Sequence, residues 1–488
     1  MSPIDDIRKN RLEKLNILKS KNIEPYPVKT GKISSLAEVL GKFKTLEKKK
    51  AKTAIAGRII AKREHGSSIF ADIYDGEAKL QAYFKKDSLG NESFDAFQET
   101  IDIGDFVYLK GRVFTTKKGE KTLEAGEWKI LSKSLLPLPE KWHGLQDIEE
   151  RFRKRHLDLL MNENVREVFS IRHKLIKFLR DFLDKENFIE VETPILQSQA
   201  GGALAKPFVS HHNALNIDLY LRIAPELYLK RLLVAGYKKI YEIGRNFRNE
   251  GIDATHNPEF TMLELYEAYA NADSHIEFVE KMIKHLAKNL FGKPLIQYKD
   301  QTIDLSKKFK KITFDEALSR YALIRDFEKL SDKELALKAK QLGLEPEKIA
   351  YRGKLADEIF KKICRPKMIE PTFIVNHPQE ISPLAKPSSI EGKADRYQLI
   401  IRGLEIVNGF SELNDPLKQR DFFENQQKLK AKGEEEIMPL DEEFLEALEY
   451  GMPPAGGLGI GIDRLIMLFT NTTNIKEVIL FPTLKPRE

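Results

Sequence analysis

Apolar positions along the chain repeat with two different periods. In residues 4–20, Ile4, Ile7, Leu12, Leu15 and Leu18 recur at helical spacing with charges between them, which predicts one amphipathic helix. The segment IEPYPVKTGK ends it with two prolines and a glycine, and the basic run KFKTLEKKKAK reads as a solvated face. From 53 to 132 the period shortens. TAIAGRIIAKR, SIFADIYD, KLQAYF, DFVYLKGRVFTT and KTLEAGEWKIL are strand-like runs separated by His65-Gly66-Ser67, Asp75-Gly76 and Lys118-Gly119-Glu120. SFDAFQET, between the third and fourth run, predicts one short helix. Strand-strand-strand-helix-strand-strand is the order of a small five-stranded barrel of the oligonucleotide-binding type. LLPLPEKWHG then reads as a linker. Val168, Ile171, Leu175, Phe178, Leu179, Phe182 and Leu183 predict a long helix over about 165–187, stopped at Asn187 and followed by a strand, FIEVETPIL, cut by Pro194. LYLRIA, KKIYEIGR and LEIVNGF read as further strands among helices. Around 306–365, helices rich in Lys and Glu look like an insertion without a readable motif.

Composition narrows the class. With 488 residues, and roughly 150 per domain, two to four domains are expected. Apolar residues make up 41% and charged ones 32%, which excludes wholesale disorder. Lys and Arg number 81 against 74 acids, a net +7 that permits a polyanionic partner without demanding one. Cys364 stands alone, which excludes an intramolecular disulfide framework and a Cys-rich zinc site. No apolar run is long enough for a conventional membrane span, and MSPIDDIRKN lacks the apolar stretch of a secretory signal. A soluble, cytoplasmic protein with no membrane partner is the expectation.

Three stretches carry candidate chemistry. In 244–270, Arg248-Asn249-Glu250 follows a strand, and an arginine on a rigid strand forks onto a carboxylate or a phosphate. Glu264 and Tyr266 are two apart and share a face if extended; the competing reading is a surface ion pair on a hairpin. In 402–416, Glu405, Asn408 and Glu412 surround an apolar run; Glu405 with Glu412 suits a divalent cation or an ammonium, the alternative being a strand with solvated ends. In 451–471, glycines 456, 457, 459 and 461 form a Gly-rich turn before Asp463-Arg464 and an apolar helix, an arrangement that favours an anion and a nucleotide. It matches neither a phosphate-binding P-loop nor a dinucleotide fingerprint.

Together these stretches resemble the three signature motifs of the class II aminoacyl-tRNA synthetases. Helix 165–187 with FIEVETPIL resembles motif 1, Phe247-Arg248-Asn249-Glu250 motif 2, and GLGIGIDR motif 3, with Asp463 where many members carry Glu. LRIAPELYLKRL, FRNEGIDATHNPEFTMLELY, NGFSELNDP and GLGIGIDRLIMLFTN are similar to the lysine-specific subfamily of bacterial type, over nearly the whole chain. The resemblance implies an α+β fold: a class II antiparallel sheet of six strands with flanking helices, plus an N-terminal five-stranded oligonucleotide-binding barrel. It implies an N-terminal helix and linker over 1–50, an anticodon-binding barrel over 51–135, and a catalytic domain over 150–488 with the helical insertion at about 306–365.

The implied chemistry joins ATP and lysine into lysyl-adenylate, then passes the lysyl group to tRNA(Lys). Arg248 and Arg464 match the catalytic arginines. Gly202, Glu226, Arg248, Glu264, Tyr266, Asn408 and Glu412 match the lysine pocket, with acids and a phenol suited to a cation. Arg248, Asn249, Glu250, His256, Asn257, Phe260, Glu405, Ile406, Gly461, Asp463 and Arg464 match the ATP site, where Phe260 stacks on adenine with Arg464 on its other face. Mg²⁺ is implied between Glu405 and the position of Gln398, where the family has a second carboxylate and this chain has lost the charge. Phe70, Gln81 and Glu127 match the anticodon readers, with Arg58, Lys62 and Arg63 near enough for phosphate; Phe70 taken alone reads rather as a barrel core residue. Motif 1 implies a homodimer, against plain intramolecular packing of the same helix. Aspartate or asparagine specificity is opposed by Glu264, Tyr266 and Glu412; a protein-lysylating paralogue by the presence of the barrel; a non-catalytic relative by the retention of Arg248 and Arg464.

Overall fold

In the computed structural model residues 3–139, 145–349, 351–431 and 437–487 are described. The chain forms two compact units, Met1–Met161 and Asn162–Glu488. In the first, helix Pro3–Ser20 buries Leu15 and Leu18 from its apolar stripe, and Arg11 reaches inward to carbonyls of Ile103, Ser134 and Leu136. Five strands follow: β1 (Lys52–His65), β2 (Ser68–Tyr74), β3 (Lys79–Lys85), β4 (Phe106–Thr115) and β5 (Lys121–Ser132). They close into a barrel in the order β1-β2-β3-β5-β4. Alternate residues point in, so Ile55, Ile59, Ile69, Ile73, Leu109 and Leu123 fill the interior. Helix Asn91–Thr100 lies between β3 and β4, with Phe97 stacked on Phe84 at 4.0 Å. Of the expected linker LLPLPEKWHG, residues 135–139 are irregular and 140–144 lie outside the described residues.

The second unit opens with helix Glu163–Lys185, which buries Leu175, Leu179, Phe182 and Leu183. Asn187 then adopts φ 64°, a left-handed turn that ends the helix. The expected strand FIEVETPIL is reduced to two fragments, β6 (Ile189–Glu190) and β7 (Leu196–Gln197). Pro194 has no N–H for a ladder, and the N–H and hydroxyl of Thr193 turn instead to Glu242. β7 joins β8 (Val209–His212) and β9 (Ile217–Leu221) in a small sheet ordered β7-β9-β8.

The main sheet contains β6, β10 (Lys239–Phe247), β11 (Glu259–Ala268), β14 (Lys310–Thr313), β15 (Thr372–Pro378), β16 (Lys393–Ile401), β17 (Leu404–Ser411) and β18 (Ala455–Gly461). A hairpin, β12 (Leu295–Tyr298) and β13 (Gln301–Asp304), stands apart. The strand order is β14-β15-β16-β17-β18-β11-β10-β6. The six strands from β15 to β10 are antiparallel, as the resemblance implies; β14 and β6 extend them as parallel edges. The Gly-rich run expected as a turn is β18, a central strand, paired to β11 and β17 on either side. Leu263, Leu265, Tyr397, Leu399, Leu458 and Ile460 face one side and form a core with helices Glu163–Lys185, Ala272–Phe291 and Ile462–Phe469. By the two-residue period of a strand, Glu264, Tyr266, Arg396, Gln398, Gly457 and Gly459 face the other side. The 306–365 segment shares its core, including Phe314, Leu335, Ile359 and Phe360, with Ile374 and Ile400 of that sheet.

Candidate functional site

The open face of the main sheet floors a cavity of about 550 Å³. Seventeen of the residues expected at the lysine, ATP and metal positions line it, from Gly202 on one side to Arg464 on the other; Asn249 does not. Helix Glu226–Val234 starts at the wall with Glu226, and Gly202, at φ 86°, lies so close that an added Cβ would stand 3.0 Å from the Glu226 Cβ. β11 presents Glu264 and Tyr266 on one face, and the Tyr266 hydroxyl donates to Glu264 Oε2 at 3.1 Å. Both are buried, so the surface ion-pair reading does not hold. Glu412, just past β17, is 1% exposed.

Sequence reasoning missed the cation at the centre of this group. Lys230, one turn after Glu226, is fully buried with its Nζ 2.6 Å from Glu226 Oε1 and 2.5 Å from Glu412 Oε2. The i,i+4 spacing was readable, but nothing in the sequence brings Glu412 to the same point. Burial pushes the carboxyls of Glu226 and Glu412 upward despite this lysine, and it pushes Glu264 up to about 8. Burial opposes the charge of Lys230, yet Glu226 and Glu412 hold its ammonium above the ordinary lysine range.

Arg248 follows β10, its guanidinium over the Phe260 ring at 5.0 Å and its Nε buried without a hydrogen-bond partner. Asn408 Oδ1 accepts from Arg396 Nε at 2.9 Å; Arg396, a second missed residue, also donates to Ile381 O and Ser382 Oγ. Arg464 donates to His256 Nε2 at 2.9 Å, while His256 Nδ1 lies 2.8 Å from Asp253. That arrangement assigns the ring proton to Nδ1. Burial works against the Asp253 charge, but bonds from the Thr255 N–H and His256 hold its carboxyl down at about 2. The Asp463 carboxylate is turned away from the cavity: it accepts from Arg172 at 2.6 Å and from the Thr261 N–H at 2.7 Å, tying helix Glu163–Lys185 to β11.

Glu405 and Glu412 do not meet. Seven strand residues at about 3.3 Å each put them on the order of 20 Å apart, too far to share one cation. Gln398 does not present a metal ligand either. Its Oε1 lies 3.2 Å from His377 Nε2, and its Nε2 donates to Glu405 Oε2 at 3.3 Å. Burial beside Arg396 pushes His377 down to about 3, so its neutral ring donates from Nε2 to the Gln398 carbonyl. The amide thus shows its donor side to Glu405, and the pair does not fit a protein-held divalent ion. Among the described residues no group of three acids, histidines or cysteines is placed to hold a metal. The segment that carried no motif also reaches the cavity, through Tyr351, Lys354, Asp357, Lys361 and Arg365.

On the barrel, Phe70 is not core. Its ring lies 4.7 Å from that of Tyr83, its partner across β2 and β3, tilted by 30°, and Tyr83 meets Phe114 edge-on at 6.1 Å, an aromatic row of which only the first was expected. Gln81 faces the same side and accepts from Thr122. Glu127 is exposed on β5, five residues after Thr122 and paired with Lys110 of β4. Arg58 donates to Gly104 O, and Lys62 to the Gln98 and Ile101 carbonyls at the end of helix Asn91–Thr100, so both are engaged; Arg63 is paired with Phe70 in register and stays exposed.

Comparison with known proteins agrees with this geometry. Residues 147–485 match the family model of the tRNA synthetases class II (D, K and N), and residues 53–131 that of an OB-fold nucleic acid binding domain. A lysine–tRNA ligase of Carboxydothermus hydrogenoformans is 48% identical over 487 residues, covering 99% of both chains. That of Pelotomaculum thermopropionicum is 48% identical over 99% of this chain and 96% of its own. That of Methanoculleus marisnigri is 45% identical over 97% and 94%. The chain belongs to the class II tRNA synthetase family of the D, K and N group.

Proposed function

We propose that this protein ligates lysine to tRNA(Lys), with ATP as the energy source, through a lysyl-adenylate. The observation that carries this reading is the buried group of Glu226, Glu264, Tyr266 and Glu412 in the same cavity as Arg248. In the first step the lysine carboxylate attacks the α-phosphorus of ATP in line; the carboxylate O–P bond forms, the bond to the β-phosphate bridge breaks, and pyrophosphate leaves. Two anions have to approach, and Arg248 supplies the positive charge between them. Asn408, fixed by Arg396, takes the carboxylate; Glu226 with Gly202 takes the α-ammonium; Glu264, Tyr266 and Glu412 take the ε-ammonium. Phe260 stacks the adenine, with Glu250, His256, Asn257, Ile406, Gly461 and Arg464 around ATP; Asn249, outside the cavity lining, and Asp463, its carboxylate held by Arg172 and Thr261, back that set from behind. In the second step a 3′-terminal ribose hydroxyl attacks the lysyl carbonyl and AMP leaves.

Mg²⁺ belongs to this reading as the counter-ion that ATP brings, where it draws charge off the phosphates; Glu405 is the one carboxylate of the expected pair that faces it. We read the chain as helix and linker 1–50, anticodon-binding barrel 51–135 and catalytic domain 150–488 with the insertion at about 306–365. Phe70, Gln81 and Glu127 read the anticodon. The protein acts as a homodimer through the motif 1 region, supported by the exposed Ile195, Leu196, Val209 and Ile217 on and beside the β7-β9-β8 sheet. No helix among the described residues is long and apolar enough to cross a membrane, and the cytoplasm is the proposed location.

The test is amino-acid-dependent exchange of pyrophosphate into ATP across the twenty amino acids, followed by charging of a tRNA pool. Lysine is expected to support exchange and to appear on tRNA. Exchange with aspartate or asparagine in its place overturns the reading.

A further inference from the structure

Position 398 asks what takes over where the family's second carboxylate is missing. The Gln398 amide is oriented by His377 so that its N–H, not its carbonyl, points at Glu405. A divalent ion such as Mg²⁺ takes oxygen ligands in a strict octahedron, which a donor N–H does not supply. What approaches Glu405 from the protein instead is a guanidinium: Arg365 NH1 is 3.7 Å from Glu405 Oε2. Its Nε is buried without a hydrogen-bond partner. Arg464, Arg396 and Lys361 also act on Glu405, and Arg365 and Arg464 repel one another, so three guanidinium groups and an ammonium surround one carboxylate. That is an excess of cation at the cavity wall, built with an unsatisfied donor.

The arginine is held from behind. It follows a π-helical turn, Phe360–Cys364, whose Phe360 and Cys364 are buried in the core of the 306–365 segment. Its backbone lies against the β16–β17 turn, where Gly403 at φ 74° leaves no room for a side chain: an added Cβ would stand 3.2 Å from Pro366 Cα and 3.4 Å from Arg365 O. A planar, always-charged group so fixed suits the oxygens of a polyphosphate.

We propose that Arg365 replaces a protein-held metal ion beside Glu405: it binds the β- and γ-phosphates of ATP directly, and the site takes up only the divalent ion that ATP carries. This deepens the function proposed above and rests on it. Only the occupant of one corner of the site changes.

The test uses the full-length protein with lysine, the α,β-methylene analogue of ATP, whose α–β linkage lysine cannot break, and Mn²⁺ counted by electron paramagnetic resonance. The expected count is one ion per chain; two or more overturns the proposal. R365A is expected to weaken binding of the analogue at least tenfold with lysine affinity unchanged, and R365K, which keeps the charge in case the alanine variant misfolds, to fall between. Wild-type affinity for the analogue in R365A also overturns it. Absence of lysine-dependent pyrophosphate exchange in the wild-type protein strikes the reading of function instead, and is read in a separate assay.

Discussion

Burial, and next to it the charge of Glu226, pushes the Glu264 carboxyl up to about 8 against an ordinary 4.5. At neutral pH the empty site therefore holds this acid mostly protonated, and a lysine ammonium must expel the proton to gain its partner. Lysine affinity is expected to rise about tenfold per pH unit from 6 to 8 and level off above, with close to one proton released at pH 6.5 by calorimetry in buffers of different ionisation heat. A flat profile over that range removes Glu264 from the pocket. The same shift has a stability sign. An acid whose folded pKa lies above its unfolded one contributes fully below 4.5 and loses that contribution as pH rises through 8, so the ligand-free protein should melt lower at pH 8 than at pH 5.5 from this group. On the proposed reading Lys230 offsets one of the three acids Glu226, Glu264 and Glu412, so that with all three ionised by the bound substrate two negative charges would meet its two ammonium groups. Glu412→Gln upsets that match and is expected to lower lysine-dependent exchange by about tenfold or more, the value of one charged hydrogen bond; an unchanged lysine KM would place Glu412 outside the pocket. At this scale Glu264, Tyr266, Glu412 and Arg248 were legible, because each type announces its chemistry. Lys230, Arg396 and Arg365 were not, because what they do depends on partners far away in sequence.

Elements were legible where one period ran long. Helix Glu163–Lys185 falls within two residues of its predicted ends, and the barrel strands follow their alternation. FIEVETPIL failed because its polar groups are claimed by Glu242, and β18 failed because glycine carries no pattern to read. Packing gives β18 its reason for glycine. A Cβ at Gly457 would lie 2.0 Å from Glu412 Oε1 and 2.5 Å from Tyr266 Cε1, whereas one at Gly461 would meet nothing nearer than 3.8 Å. The strand is thin so that the side chains of Glu412 and Tyr266 can lie across it. Gly457→Ala is therefore expected to raise the lysine KM by about tenfold or more with the ATP KM little changed, and Gly461→Ala to leave the lysine KM near wild type. Equal effects of the two substitutions in the exchange assay would mean that backbone freedom, not space, selects glycine here.

The molecule as a whole divides its task between two units, and the division can be measured because the two half-reactions need different partners. In the proposed reaction the adenylate needs only lysine and ATP, so pyrophosphate exchange without tRNA is expected to report on the catalytic unit, and charging to add the proposed role of the barrel. Phe70 stands half-buried against Tyr83 outside the barrel's buried core, in the manner of a base-stacking platform. Stacking one base on an aromatic ring is worth about 1–3 kcal/mol, roughly a 5- to 150-fold factor in binding. Phe70→Ala should lower kcat/KM for tRNA(Lys) within that range and leave lysine-dependent exchange and the melting temperature unchanged. If charging persists at the wild-type rate, Phe70 does not touch the anticodon. If exchange falls in parallel with charging, the substitution has acted on folding, and the barrel's role has to be sought in Tyr83 or Phe114, which share its row.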